Sequence, residues 1–400
     1  MSILAQSGWG RSTKIENGLD SKVIDGVILS PKDERKERIE ESIKTMHQKY
    51  PNATLLFDPQ FYAATLSTPR VGYLEEYDYY KNNAGLRRTH FASSDIHRYV
   101  KQCLDYQHDT LSNNLSYLIS PTILFDDFRD NWSQISINLA VESAVYHSNL
   151  KSSTPLLISI AISENALNSL EAVDDFLDAI TELNVDGFYI IVRRNSNMLQ
   201  HTMDNFANFI YFCYVLAKIN LYKIIVGYSD LTSFILHSVG VKSTACGWFQ
   251  NLRQFSMSRF LPSTGGQRPR KRYSSKPLLS VPLINPELED IFLAGLLDQI
   301  LSGTDNDDII SSGPASAYDD WTDEMFCLNH WGSLTSLSNR ISISDSIYQK
   351  LNEVQQMIQD AMNLYNQLNY SGINLDPTTG PNHLNNWLET IQRFRTNVNV

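Results

Sequence analysis

Short apolar runs alternate with longer amphipathic stretches along most of the chain. Several of these runs are rich in Ile and Val, and most are bounded by Pro, Asp, Asn or Gly. Such runs are typical of strands that are buried on both faces of a parallel sheet. The pattern predicts eight strands, at residues 23–29, 54–57, 122–125, 156–162, 187–192, 223–226, 243–248 and 278–283.

The stretches between the runs have helical periodicity. Residues 33–50 place Ile39, Ile43 and Met46 on one face and charged residues on the other, and residues 168–183 repeat the pattern. Strands that alternate with helices indicate an α/β fold, and eight of them favour a closed (β/α)8 TIM-type barrel of roughly 250 residues or more. An open doubly wound sheet is the alternative, but no Gly-x-Gly-x-x-Gly motif follows any predicted strand.

Two segments interrupt this alternation. Residues 70–110 are rich in Tyr and charge and predict an insertion after the second strand, and the Gly-rich, basic residues 263–275 predict an exposed loop. Near the C-terminus the strands stop, and residues 345–368 have the pattern of a long helix. We therefore divide the chain into a barrel at residues 1–300 and an acidic linker with a helical tail at residues 301–400.

Composition and charge exclude several classes of protein. No apolar run approaches the ~20 residues that span a bilayer, and the first residues do not resemble a secretory signal. The four cysteines lie far apart, which predicts neither a disulfide framework nor a Cys-x-x-Cys metal site and fits a cytoplasmic protein. The formal net charge of −11 argues against a general polyanion binder, although a local basic patch can override it.

Several predicted strand ends resemble, in the right order, motifs of the tRNA-guanine transglycosylases. Residues 57–61 (Phe-Asp-Pro-Gln-Phe) are similar to the family's Asp-Ser-Gly-Gly-Phe-Gln stretch, which holds its acid/base aspartate. Residues 125–127 (Phe-Asp-Asp) resemble its Phe-Asp-Glu, whose first carboxylate binds the exchanged base. Residues 186–189, 226–230 and 250–253 resemble further motifs. The resemblance implies a barrel that binds or acts on a purine-type base or a nucleic acid.

The chain departs from this family at residues that its chemistry needs. The family's nucleophilic aspartate is replaced by Ala245. Its Cys-x-Cys-x-x-Cys zinc motif should fall within residues 302–320, which contain neither Cys nor His. A structural zinc site needs four N or S ligands, so we expect no zinc, no other cofactor and no classical base exchange.

Asp58 and Asp126 are the strongest candidates for catalysis. Each follows an apolar run directly, so both should project from the C-terminal ends of parallel strands, and we expect them in one pocket within ~10 Å of each other. Two such carboxylates can act as acid, base or recognition groups for a guanine-like base, whereas the alternative is that they cap the following helices. Resemblance and strand-end position add candidate substrate-binding residues: Gln60, Phe61, Asp127, Arg193, Arg194, Gln250 and Arg253.

The strongest local charge feature is the run from Arg268 to Tyr273. Arg268, Arg270, Lys271 and Arg272 stand beside an aromatic ring on the Gly-rich loop, which suits phosphate contact and base stacking. The alternatives are a solvated surface loop or a contact with an acidic partner protein.

Three functions therefore remain open. The first is an enzyme that acts on a nucleobase or an N-glycosidic bond, with Asp58 and Asp126 as its acidic groups. The second is a catalytically inactive relative that binds RNA or DNA within a larger assembly. The third is a protein-interaction module, for instance in a defence system, with the Tyr-rich residues 77–80 at its interface.

Overall fold

The computed structural model describes residues 1–81, 83–111, 113–194, 199, 201–262 and 270–399. Nine strands lie at the centre of this part of the chain. They are β1 (Ser2–Gln6), β2 (Gly26–Leu29), β3 (Thr54–Phe57), β4 (Leu118–Ile119), β5 (Leu124–Phe125), β6 (Leu156–Ser163), β7 (Gly187–Arg193), β8 (Lys223–Val226) and β9 (Ser243–Cys246).

These strands form one parallel sheet that curves into a nearly closed barrel with eight strand positions. Their order is β3-β2-β1-β9-β8-β7-β6-β4, and β5 also pairs with β6, so that β4 and β5 share one position. Ser116, just before β4, approaches β3 at the remaining gap. Its N–H donates to the Leu55 carbonyl at 2.9 Å, and its Oγ accepts from the Leu55 N–H at 3.0 Å. The predicted TIM-type α/β barrel is confirmed.

Seven of the eight predicted runs coincide with barrel strands, and the eighth is wrong. Residues 278–283 make only isolated antiparallel bridges, from Leu283 to Arg272 and from Ser280 to Ser275. The run is apolar because its side chains are buried beside the C-terminal region, where the Ser280 hydroxyl donates to the Thr379 carbonyl at 2.8 Å. The remaining barrel position belongs to β1, which pairs with β2 and β9.

Helices surround the barrel, and their apolar faces pack inward. In the helix at residues 170–180, for example, Val173, Phe176 and Leu177 are buried, and the Ser169 side chain accepts a hydrogen bond from the Ala172 N–H at the N-terminus. No helix in the described ranges is apolar over a length that could cross a membrane. The α-helices are α1 (Lys14–Asp20), α2 (Lys36–Lys49), α3 (Ser93–Tyr106), α4 (Asn131–Leu150), α5 (Leu170–Ile180), α6 (Met203–Tyr214), α7 (Ser233–Ser238), α8 (Glu289–Leu293), α9 (Asp307–Ser311), α10 (Pro314–Ala317), α11 (Asp323–Ser342), α12 (Ile347–Tyr370) and α13 (Asn382–Val398).

The helices beyond residue 300 pack on the barrel itself. Helix α11 contacts α1, α7 and β1, and α13 contacts α6. The indole N–H of Trp331 in α11 donates to the Cys246 carbonyl of β9 at 2.8 Å, and that of Trp387 in α13 donates to the Leu199 carbonyl at 3.2 Å. The helix layer is thus completed by α11, with residues 247–322 inserted between it and β9. The domain boundary at residue 300 stays a prediction.

Much of the predicted insertion at residues 70–110 is core. Tyr77, Tyr79 and Tyr80 are at most 1% exposed, and the ring of Phe57 lies 5.6 Å from that of Tyr77. The hypothesis of an interface at residues 77–80 is therefore wrong for these three tyrosines, because their rings fill the space beside β3. Helix α3 within this segment packs against α4 as part of the helix layer.

The predicted exposed loop at residues 263–275 is buried at its C-terminal end. Residues 263–269 lie outside the described residues. Tyr273 is fully buried, and its hydroxyl donates to Asp307 Oδ1 at 2.9 Å. The Ser274 N–H donates to Asn329 Oδ1 at 2.8 Å, so hydrogen bonds to the region around α9 and α11 hold this segment inside.

Candidate functional site

A cavity of about 360 Å³ lies where β8 and β9 end and the segment inserted before α11 begins. Asp230 follows β8 and Trp248 follows β9, so both stand at the C-terminal end of the barrel, where enzymes of this fold build their active sites. The lining also includes Trp321, just before α11, and Phe326, within α11. A volume of this size is typical of a small-molecule pocket.

Five predicted site residues meet in this cavity. Gln250 and Arg253 come from the turn after β9, and Arg270, Lys271 and Arg272 come from the basic segment. Arg268 lies outside the described residues. The candidate substrate-binding and nucleic-acid-binding groups of the sequence analysis thus partly coincide in space.

Two of the three cations from the basic segment are held by backbone carbonyls. The Lys271 amine donates to the carbonyls of Tyr318 and Asp319, and the Arg272 guanidinium donates to the Val281 carbonyl at 2.8 Å. Arg270 is exposed. Lys271 and Arg272 are therefore fixed in position, while Arg270 is accessible to a ligand.

Arg253 is a buried cation at the inner end of the cavity. It is only 5% exposed, and its Nε and Nη1 have no hydrogen-bond partner within the described ranges. Its guanidinium lies 5.2 Å from the centre of the Phe326 ring, and Nη1 lies 3.8 Å from Asp230 Oδ2, which is beyond hydrogen-bonding distance. Buried polar groups normally find partners, so these N–H groups are free to bind a ligand.

Asp230 remains ionised beside this arginine. Burial alone would raise the pKa of Asp230, but the positive charge of Arg253 and the neighbouring His330 imidazole outweigh it and hold the pKa at about 2. The Leu231 N–H donates to Asp230 Oδ1 at 2.8 Å, whereas Oδ2 has no hydrogen-bond partner among the described residues. The cavity therefore contains a fixed anionic acceptor as well as cations.

Asp58, the first predicted catalytic residue, is buried in a polar cluster after β3. The Gln60 N–H donates to its Oδ1 at 3.0 Å, and the hydroxyls of Tyr62 and Tyr189 donate to its Oδ2 at 2.9 and 3.2 Å. Burial raises the pKa of Asp58 to about 6, although these hydrogen bonds and Arg259 oppose the shift. Because Asp58 is only 1% exposed, its carboxyl contacts protein groups and not solvent.

Gln60 and Phe61 are also buried beside Asp58. Gln60 has a φ of 54°, a left-handed conformation, and its side-chain amide donates to Ser30 Oγ at 2.8 Å. The ring of Phe61 lies 5.1 Å from that of Tyr99 in α3. These contacts hold the chain in the sharp turn that follows β3.

Asp126, the second predicted catalytic residue, has different surroundings. Its side chain is 61% exposed and pairs with Arg193, which also donates to Ser163 Oγ at 2.9 Å. Asp127 is exposed and accepts a hydrogen bond from the Arg129 N–H at 2.8 Å, while Asp130 rather than Asp127 caps α4. The geometry supports neutralisation of Asp126 as the role of Arg193, which was predicted as a substrate-binding residue.

Arg194 lines a second cavity of about 40 Å³ that also includes Asp230. Its Nε lies 3.8 Å from Glu164 Oε1, and burial lowers the pKa of Arg194 to about 10. The volume is enough for water molecules but not for a nucleobase.

No protein-family model and no curated protein matches this sequence. The resemblance to the tRNA-guanine transglycosylases therefore stays a prediction.

The structure also brings together three residues that the sequence analysis did not connect. The donor atoms of Asp230, Cys246 and His330 all lie within 4.8 Å of one another, and all three side chains are buried. They come from the ends of β8 and β9 and from α11, so their separation along the chain hides them from any search for metal-ligand spacing. Asp230 ends the motif at residues 226–230, and Cys246 lies in the predicted strand at residues 243–248, which was the available signal.

Proposed function

We propose that this protein binds a nucleotide unit of single-stranded RNA or DNA in the cavity at the end of β8 and β9, without classical base exchange. The observation that supports the proposal is the composition of the cavity lining. It combines the rings of Trp248 and Phe326, the carboxylate of Asp230 and the cations of Arg253 and Arg270.

Each part of this lining suits one part of a nucleotide. Aromatic rings stack on bases, which contributes about 1–3 kcal/mol per base. An ionised carboxylate accepts hydrogen bonds from ring N–H and amino groups of a guanine-like base. Arginine donates in a fork that matches phosphate oxygens, and the N–H groups of Arg253 are buried without a partner in the described part of the chain.

Binding fits the predicted acidic residues better than catalysis does. Asp58 is enclosed by Tyr62 and Tyr189, and Asp126 is paired with Arg193 at the surface. Ala245 lacks a side chain that could act as a nucleophile. An N-glycosidic reaction that depends on Asp58 is the alternative.

The proposal predicts a salt-dependent affinity that falls when a cavity cation is removed. Arg270→Gln should weaken binding of a labelled single-stranded oligonucleotide by about 1 kcal/mol, or roughly fivefold. It should also reduce the slope of log K against log salt by ~0.7. Fluorescence anisotropy over a range of salt concentrations measures both quantities, with RNA and DNA of the same sequence.

Lys44→Gln is the matched control, because it removes one exposed cation from α2, outside the cavity. It should leave affinity and slope unchanged. Equal effects of both variants, or no binding of either oligonucleotide to the unaltered protein, would refute the proposal. Release of free base, detected by mass spectrometry and abolished by Asp58→Asn, would favour the enzymatic alternative.

A further inference from the structure

We propose that Asp230, Cys246 and His330 form a zinc-binding site beside the cavity, which Asp230 also lines. This inference rests on a different observation from the proposed nucleotide binding, with which it shares Asp230. The three donor atoms lie within 4.8 Å of one another. Zinc in proteins is bound by thiolate, imidazole and carboxylate ligands at about 2.0–2.3 Å, so such a cluster can close around one ion with small side-chain movements.

The cluster is incompletely satisfied without an ion. His330 Nε2 lies 3.1 Å from Asp230 Oδ1, within ion-pair distance, but it makes no well-formed hydrogen bond in the described chain. Asp230 Oδ2 likewise has no hydrogen-bond partner among the described residues. Buried polar atoms of this kind call for a specific explanation, and a bound cation would satisfy both.

Neighbouring groups hold the three ligands as an outer shell would. His330 Nδ1 lies 2.9 Å from Ser274 Oγ, so a proton on Nδ1 leaves the lone pair of Nε2 for the metal. The Leu231 N–H donates a hydrogen bond to Asp230 Oδ1 and holds this carboxylate in place. The Trp331 indole N–H donates to the Cys246 carbonyl oxygen at 2.8 Å and holds the backbone of Cys246. These contacts come from three separate elements, so the ligand positions are determined by the fold.

The nearby Arg253 does not prevent binding of a cation. On binding, the Cys246 thiol releases its proton to solvent and its sulfur bonds to the metal. The thiolate and the Asp230 carboxylate then balance the charge of Zn²⁺, and Arg253 leaves one net positive charge beside the cavity. Three protein ligands leave one tetrahedral position for water or for an atom of a bound ligand.

Cobalt substitution tests this site directly. Protein freed of metal by a chelator would be titrated with Co²⁺, and the charge-transfer absorption of a thiolate–cobalt bond would be recorded together with the bound metal per chain. The unaltered protein should bind one ion with this absorption, and Zn²⁺ should displace it. Cys246→Ser should lose the thiolate band. Cys213→Ser is the matched control, since Cys213 is another buried, unpaired cysteine, located in α6.

Two results would overturn the proposal: absence of the band in the unaltered protein, or its persistence in Cys246→Ser. If Cys246→Ser does not fold, X-ray absorption at the zinc edge of the unaltered protein decides instead. One sulfur neighbour supports the site, and a shell of only N and O ligands excludes it.

Ser274 should act as a positioning residue. Ser274→Ala removes the partner of His330 Nδ1 and should weaken zinc affinity by ~10–100-fold, as loss of outer-shell partners typically does. Competition with a chromophoric chelator measures the change. An unchanged affinity would contradict the proposed role of His330 as a ligand, because a merely structural serine would alter stability alone.

Discussion

The buried carboxyl of Asp58 links the structure to the pH dependence of stability. Burial raises the pKa of Asp58 from 3.8 to about 6. The folded protein thus holds this proton at pH values where the unfolded chain has lost it, and stability falls as pH rises between these two values. The loss attributable to Asp58 should reach about 3 kcal/mol, since each pKa unit corresponds to about 1.36 kcal/mol.

Asp58→Asn should remove this dependence. The free energy of unfolding of the variant, minus that of the unaltered protein, should rise by about 3 kcal/mol from about pH 3 to about pH 7 in urea titrations. Asp127→Asn, which changes an exposed carboxyl, is the control, and the rise should be specific to Asp58→Asn. A flat difference for Asp58→Asn would mean that this carboxyl is not buried as described.

Single residues were predicted well where the local pattern determines their position. Gln250 and Arg253 were chosen at a strand end and do line the cavity. His330 was not chosen, because its link to Asp230 depends on how α11 packs against the barrel. Asp58 was placed correctly after its strand, but burial by Tyr62 and Tyr189 depends on the course of the whole segment that follows β3.

At the level of elements, the parallel barrel requires close approach of two strands at their N-terminal ends. Gly187 at the start of β7 pairs with Lys223 in β8. A Cβ atom at Gly187 would lie 1.9 Å from the Lys223 carbonyl oxygen, and this backbone oxygen cannot move without breaking the pairing.

Gly187→Ala should therefore destabilise the protein by on the order of 3 kcal/mol. Gly295→Ala is a suitable control, because Gly295 has a φ of +72° and no atom lies within 4 Å of the added Cβ. Backbone strain alone should lower the free energy of unfolding of this variant by only about 1 kcal/mol. Urea unfolding measures both losses. Similar losses in the two variants would argue against the register of β7 and β8.

Strand prediction succeeded and failed for one physical reason. Apolar runs report burial, and burial in this barrel mostly means a strand, as for β6 and β8. Residues 278–283 are buried under the C-terminal region instead, so the same signal was misleading there. β1 (SILAQ) contains no Val and only one Ile, and its apolar part is limited to Ile3, Leu4 and Ala5.

At the scale of the whole molecule, the barrel and the C-terminal helices share one core. Trp331 and Trp387 are fully buried, and α11 covers α1, α7 and β1.

A chain cut after residue 300 would expose these apolar surfaces, and we expect it to be insoluble or to lack a cooperative transition. In the complete chain, tryptophan fluorescence and far-UV circular dichroism should give the same unfolding midpoint. Co-expression of residues 301–400 with residues 1–300 should restore soluble material, because the contacts that bury both tryptophans are non-covalent. If residues 1–300 alone unfold cooperatively with the midpoint of the complete chain, the C-terminal helices contribute no stability, and α11 cannot be the helix that completes the barrel.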